Sequence, residues 1–418
     1  MTFQTNNDSD KDLAFDVVES GGVTSALGFR AGGIHAGFRK NPGRLDMALV
    51  EADELCPAAA TFTQNVFCAA PVTVSKEHLG GHNYGLAKAV IVNSGCANAA
   101  TGSVGIADAE RTCEIVADVV GCCADEVLVA STGVIGQLLN TAPFETAVPK
   151  LHKTMTRETG SDAASAIMTT DTYSKERAVR YVSQDPALGG ATITLGGMAK
   201  GSGMIMPNMA TMIAVITTDA PLAPEVLHSA LVHSVNKSFN KVTVDSDTST
   251  NDTCFLLASG KAAPDARIAE GSLAYEEFQA ALDALTQMLA REMARDGEGA
   301  TKLVTVKITG AANDEEADLA ARTVANSPLF LDMMRTGGVS LAHSDAAERI
   351  SSSRMFRSTS WEFRCAAMVL PSSSAKKRRS NASKSPRSCS KRIWEPARVP
   401  PPSGRAISPM IMCASTVI

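Results

Sequence analysis

The sequence predicts an α/β chain, an α+β layering of mixed sheets covered by helices, on three observations. Short β-type runs end in glycine turns, a long amphipathic helical stretch follows them, and no internal repeat interrupts the pattern. With 418 residues, 44% of them hydrophobic and 20% charged, the chain is long enough for two or three packed layers.

The elements follow in order. "KAVIVNSG" from Lys88 and "EVLVASTGVIG" from Glu126 read as buried strands running into glycine turns. "MAKGSGMIMPNMATMIAVITTDA" from Met198 begins glycine-rich and polar, then turns at Ala210-Thr211 into the apolar β-type run Met212 to Thr218. Gly201 and Gly203 permit a strained loop there, and Pro207 stiffens it. Leu273, Phe278, Leu282, Leu285, Leu289 and Met293 line one helical face, with Ser272 as N-cap and Gly297 and Gly299 beyond the far end. "TKLVTVKITG" from Thr301 then reads as a strand.

Composition narrows the function classes. The first twenty residues are polar and acidic, with neither a basic n-region nor an apolar h-region, so the cytoplasm is the expected compartment. The longest apolar runs break well before the roughly 18 residues needed to span a bilayer. Ten cysteines without a CxxC pair are expected to be reduced and buried, not to form a disulfide framework or a metal site. Seven histidines fall in no motif, no GxSxG elbow appears, and "KGSG" lacks the spacing of a phosphate-binding loop.

An N-terminal threonine mechanism needs none of these. If the Ala210–Thr211 bond is cut, the hydroxyl and the new α-amine belong to one residue, and an α-amine titrates near ~7.7–8. That amine is a general base for its own hydroxyl, and the same hydroxyl can attack the Ala210 carbonyl to make the cut. By itself the pattern is weak, because a threonine opening a strand is usually structural.

The neighbouring motifs carry more. "GGVTSALGFRAGGIHAG", "AAPVTVSKEHL", "VNSGCANAATG", "STGVIGQ", "AIMTTDTYSK", the stretch around Thr211, "SFNKVTVDSDTSTNDT" and "DGEGATKLV" follow one another in order over residues 20 to 328. Together they resemble the ornithine acetyltransferase family, the bifunctional glutamate N-acetyltransferases of arginine biosynthesis. The resemblance implies the fold shared with the D-aminopeptidase-like enzymes, a nucleophile at Thr211, cleavage after Ala210, and an oxyanion hole at Thr132 and Gly133. It implies substrate contacts at Thr169, Lys200, Thr211 and Glu298. Lys200 would pair with a substrate carboxylate and Glu298 with its ammonium. Outside that context Lys200 reads as a solvated loop lysine and Glu298 as a surface carboxylate at a helix end. "DSDTSTNDT" reads as strand ends and turns, since it lacks the spacing of a calcium loop.

The implied reaction is ping-pong: Thr211 takes the acetyl group from N-acetylornithine, and glutamate's amine removes it from the threonine ester. No cofactor or metal is called for, and some members also use acetyl-CoA as donor. The implied assembly is an α2β2 heterotetramer of residues 1–210 and the chain beginning at 211, with no nucleic-acid or membrane partner.

The resemblance stops near Leu329. From there the chain carries 15 Lys and Arg against 5 Asp and Glu, a net +10 beside −5 for the whole molecule, so the preceding part carries −15. The segment 329–418 is serine-rich and without period, and it lacks the family's closing motifs. Shifting the reading frame across "MMRTGGVS" and "SPMIMCASTVI" allows codons for both missing motifs, so 329–418 reads as an out-of-frame C-terminus, expected to be disordered or non-native. The family part of the β chain is then 211–328, and little activity is expected of the chain as it stands. Two alternatives stay open: a related self-processing amidohydrolase or aminopeptidase, and a non-catalytic protein whose basic tail binds nucleic acid.

Overall fold

The computed structural model describes residues 2–4, 14–206, 212–327, 360–366 and 406–415. The first half holds β1 (Thr2–Gln4), β2 (Ala14–Val17), β3 (Phe29–Ile34), β4 (Met47–Phe62), α1 (Ala70–His78), β5 (Tyr84–Cys96), α2 (Gly102–Val120), β6 (Val127–Val134), α3 (Ala142–Thr154), α4 (Gly160–Ala166), β7 (Lys175–Val182) and β8 (Thr192–Lys200). Then come β9 (Ile213–Thr218), α5 (Pro224–Lys237), β10 (Val242–Thr243), β11 (Thr253–Ala258), α6 (Leu273–Arg295), β12 (Ala300–Ala311) and α7 (Asp314–Ala325). Two strands, β13 (Ser360–Ala366) and β14 (Ala406–Ser415), come from the basic segment.

Ten strands form one mixed sheet in the order β1-β2-β7-β8-β9-β11-β4-β5-β6, with β3 also on β4. The parallel pairs β5/β6 and β9/β11 each need a crossover, and α2 and α5 supply them. Both faces are covered, so the central strands alternate between two cores instead of between core and water. In β9, Ala214 and Ile216 join one core with Leu227 and Leu231 of α5 and Leu282, Leu285 and Leu289 of α6. Ile213 and Val215 join the other, with Val90 and Val92 of β5 and Ala163 of α4. The mixed α/β class read from the sequence is thus the one observed.

The helix expected after residue 272 is α6. The Ser272 side chain accepts the Tyr275 N–H at 3.1 Å as its N-cap, and Phe278, Leu282, Leu285 and Leu289 are fully buried along the expected face. Among the described residues, seven cysteines are free thiols, four of them buried; Cys123 is exposed, against the expectation of burial. No helix among the described residues is long and apolar enough to cross a membrane, and no His/Cys/Asp/Glu group there forms a metal cluster.

A second sheet has the order β10-β14-β12-β13, with β12 antiparallel to both of its neighbours. Two stretches of the basic segment therefore pair with the strand expected at "TKLVTVKITG", while the rest of 329–418 lies outside the described residues.

Candidate active site

The candidate residues gather at one end of the large sheet. β8 runs antiparallel to β9, so Lys200, the last residue of β8, faces Ile213, the first of β9. β11 lies parallel to β9 on its other side and opens at Thr253, also opposite Ile213. Ala210 and Thr211 lie outside the described residues; the chain resumes at Met212, whose N–H donates to Asp252 Oδ1 at 2.9 Å.

Thr132 and Gly133 close β6 beside the end of β5. The parallel register Gly95↔Gly133 slips at Cys96, which pairs with both Thr132 and Val134, a bulge that re-aims the strand end. Gly133 has φ +134, and a Cβ there would stand 2.3 Å from the Gly95 carbonyl carbon, so only glycine fits. Asn251 ties this end to the β11 entry: its side-chain NH2 donates to the Ala97 carbonyl at 2.6 Å and to the Ser131 carbonyl at 2.9 Å.

Lys200 is not the solvated loop lysine its glycine-rich neighbours suggest. It is 2% exposed, and its ammonium donates to Thr132 Oγ1 at 3.2 Å. Burial lowers its pKa, with Lys175 and Arg39 adding to the effect; Asp171 and Asp252 oppose it by favouring the charge. The structure therefore joins the candidate substrate cation to the candidate oxyanion pair.

Asp171 anchors the third element. Its Oδ2 accepts the Thr169 N–H at 2.9 Å, and its Oδ1 accepts both the Gly201 N–H at 2.8 Å and the Lys175 ammonium at 2.7 Å. Burial pushes the Asp171 carboxyl up, but the Lys200 and Lys175 charges and these hydrogen bonds outweigh it and bring its pKa to about 2. Thr169 is half-buried, and its carbonyl accepts from Arg44 at 3.1 Å.

Glu298 lies between α6 and β12. Its N–H donates to the Ser202 carbonyl at 2.8 Å, and its exposed side chain rests against Gly203, where a Cβ would come within 2.6 Å of its carboxyl carbon. Asp252 differs from the other carboxylates. It is fully buried, and its Oδ2 has no hydrogen-bond partner among the described residues. Burial raises its pKa well above the usual carboxylate range, against the Met212 N–H, the Ser249 hydroxyl and the Lys200 charge.

Thr132, Gly133, Thr169, Lys200 and Glu298 are thus linked through neighbours that motif reading left without a role: Asp171, Lys175, Asn251, Asp252 and Asp296, whose Oδ2 accepts the Lys175 ammonium at 2.6 Å. All five stand inside the quoted motifs, which was the available signal; their burial and pairing were not visible there.

Similarity to known proteins extends over most of the chain. The ArgJ family profile matches residues 30–335. An arginine biosynthesis bifunctional protein ArgJ of Methylococcus capsulatus is 47% identical over 298 residues, covering 71% of this chain and 70% of that protein. A chloroplastic counterpart from Sorghum bicolor is 45% identical, covering 74% of this chain and 66% of its own length, just short of two thirds. A crystal structure of ornithine acetyltransferase with ornithine from Mycobacterium tuberculosis aligns at 36% identity over 47% of this chain and 99% of that one, with a TM-score of 0.41.

Proposed function

The chain belongs to the ArgJ family, and from that premise we propose that it is a glutamate N-acetyltransferase of arginine biosynthesis, moving acetyl from N-acetylornithine to glutamate. The observation that carries this reading is the buried Lys200 ammonium at 3.2 Å from Thr132 Oγ1, a carboxylate-binding charge set at the proposed oxyanion pair.

In the proposed mechanism the chain first cuts itself between Ala210 and Thr211. The freed Thr211 amine takes the proton of its own hydroxyl, directly or through water, and Thr211 Oγ adds to the acetyl carbonyl of N-acetylornithine. The Thr132–Gly133 pair stabilises the resulting oxyanion, an interaction typically worth ~3 kcal/mol of barrier per donor. The Thr211 ammonium gives that proton to the leaving nitrogen, and collapse releases ornithine and leaves an acetyl ester on Thr211. Glutamate's amine then attacks that ester through a second tetrahedral intermediate, restoring the hydroxyl. Lys200 pairs with the substrate α-carboxylate and Glu298 with an ammonium, a combination that selects amino acids over simple amides. Acetyl-CoA as an additional donor, an α2β2 assembly and work in the cytoplasm belong to the same proposal. So does the division into residues 1–210, 211–328 and an out-of-frame 329–418, which the coding DNA tests directly: a single-base repair near the Leu329 codon should restore the missing motifs.

The deciding experiment is intact mass followed by acetyl transfer, on the chain as it stands and after frame repair. Two fragments meeting at Ala210 and Thr211, together with N-acetylglutamate formed from N-acetylornithine and glutamate, are the expected result for the repaired chain, with little transfer by the chain as it stands. A repaired chain that stays uncut removes Thr211 as nucleophile, and free acetate without N-acetylglutamate makes the protein a hydrolase.

A further inference from the structure

Three of the candidate substrate residues, Thr169, Lys200 and Glu298, border a buried charge cluster to which motif reading gave no part. Lys175 opens β7 and is fully buried; its ammonium donates to Asp171 Oδ1 at 2.7 Å and to Asp296 Oδ2 at 2.6 Å. Each carboxylate is in turn fastened to a different part of the site. Asp171 holds the N–H groups of Thr169 and Gly201, the latter following Lys200 directly. Asp296 accepts the Thr172 N–H at 3.0 Å and the Thr172 hydroxyl, its own carbonyl accepts the Ser202 hydroxyl at 2.8 Å, and Glu298 stands two residues on.

With Lys200 nearby, the cluster holds two cations and two anions, of which Lys175 alone is paired with both carboxylates. Bringing Asp171 and Asp296 together without Lys175 would leave two like charges in a water-poor site. Breaking such a buried pair costs far more than the pair contributes, because the remaining charge has no solvent. Lys175 touches none of Thr169, Lys200 or Glu298 among the described hydrogen bonds and ion pairs, so any effect it has on them runs through the two carboxylates.

We propose that Lys175 is the positioning residue of the amino-acid subsite, clamping the segments that carry Thr169, Lys200 and Glu298 into one constellation through Asp171 and Asp296. The proposal deepens the acetyltransferase reading and rests on it for the nature of the substrate, but the clamp itself can be measured without turnover.

Hydrogen exchange on the full chain, comparing wild type with Lys175→Met, reads the clamp. The amides of Thr169, Thr172 and Gly201 should exchange at least about tenfold faster in the variant, while those in the middle of β5 and β6 do not change. Unchanged exchange at the three amides overturns the inference, whether or not the chain turns over. Should Lys175→Met not fold, Asp296→Asn leaves Lys175 paired with Asp171. Faster exchange is then required at Gly201, which Asp296 does not hydrogen-bond among the described residues, and unchanged exchange there is equally fatal.

Acetyl transfer, measured on the frame-repaired chain, reads the consequence. KM for N-acetylornithine and glutamate should rise about tenfold in Lys175→Met with kcat held within about threefold, and Lys175→Arg should recover part of the loss. A fall in kcat alone, or no change in either constant, assigns Lys175 to packing and overturns the inference. If the frame-repaired wild type transfers no acetyl group but the three amides respond as stated, the acetyltransferase reading fails and the clamp stands.

Discussion

In the large sheet, β9 is flanked by β8 and β11 and buried on both faces, with Ala214 and Ile216 in one core and Ile213 and Val215 in the other. In the small sheet, β12 is flanked by β13 and β14, both from the basic 329–418 segment, and among the described residues β10 reaches that sheet only through β14. Of the candidate residues, Thr132, Gly133 and Lys200 stand on strands of the large sheet, while Glu298 stands two residues before β12. The difference teaches where the pocket is exposed to damage. Its proposed oxyanion and carboxylate-binding parts stand on β6 and β8, strands within the family-matched residues, and its proposed ammonium-binding part hangs from the start of β12, whose two described neighbours come from 329–418.

The largest effect is expected at the large-sheet end. Gly133→Ala puts a Cβ into the Gly95 backbone at a φ of +134, so the strand ends must separate and the oxyanion donors move. We expect kcat for acetyl transfer to fall by about 10²–10³-fold with the far-ultraviolet spectrum retained, the scale of losing one oxyanion donor. A variant within tenfold of wild type would remove Gly133 from the proposed oxyanion hole.

Next in size is the response to removing residues 328–418. β12 then loses both described strand partners, and β10 loses its one described partner. Exchange in β12 and α7 should approach that of an open segment, while the middle strands β4, β5, β9 and β11 keep their protection. Loss of protection throughout would show that the two sheets unfold as one unit and would break the comparison.

How much of this was legible in the sequence depended on whether the signal was local. The helix α6 was readable because its apolar positions recur at helical spacing and Ser272 caps it within three residues. Gly133 stood out in its motif, but the reason it must be glycine, the close passage of Gly95, comes from a partner strand 38 residues away in the chain. Lys200 was hidden by its setting, since "AKGSG" has the composition of a solvated loop, yet β8 continues through Lys200 into the sheet end and takes it out of water. Asp171 and Asp296 lie 125 residues apart, and nothing in their spacing shows that one ammonium joins them. The basic segment was recognisable by its charge; the pairing of two of its stretches with β12 was not.

The smallest effect separates the two carboxylates that oppose the lowering of the Lys200 pKa. Asp171, held at about 2, contributes stability that is fully present above the unfolded value near ~3.9 and is lost as pH falls toward 2. Asp252, raised by burial, has the opposite sign: its contribution is greatest below the unfolded value and declines as pH rises and the unfolded chain ionises. Asp252→Asn keeps an oxygen to accept the Met212 N–H and has no proton to lose, so at pH 4 it should cost about 1 kcal/mol or less in urea-unfolding stability. Between pH 4 and pH 7 that difference should shift in favour of the variant, while Asp171→Asn should weaken the protein most at neutral pH. If Asp252→Asn instead loses ground as pH rises, Asp252 is ionised in the folded chain, and the β11 side of Lys200 carries a carboxylate as strong as that of Asp171.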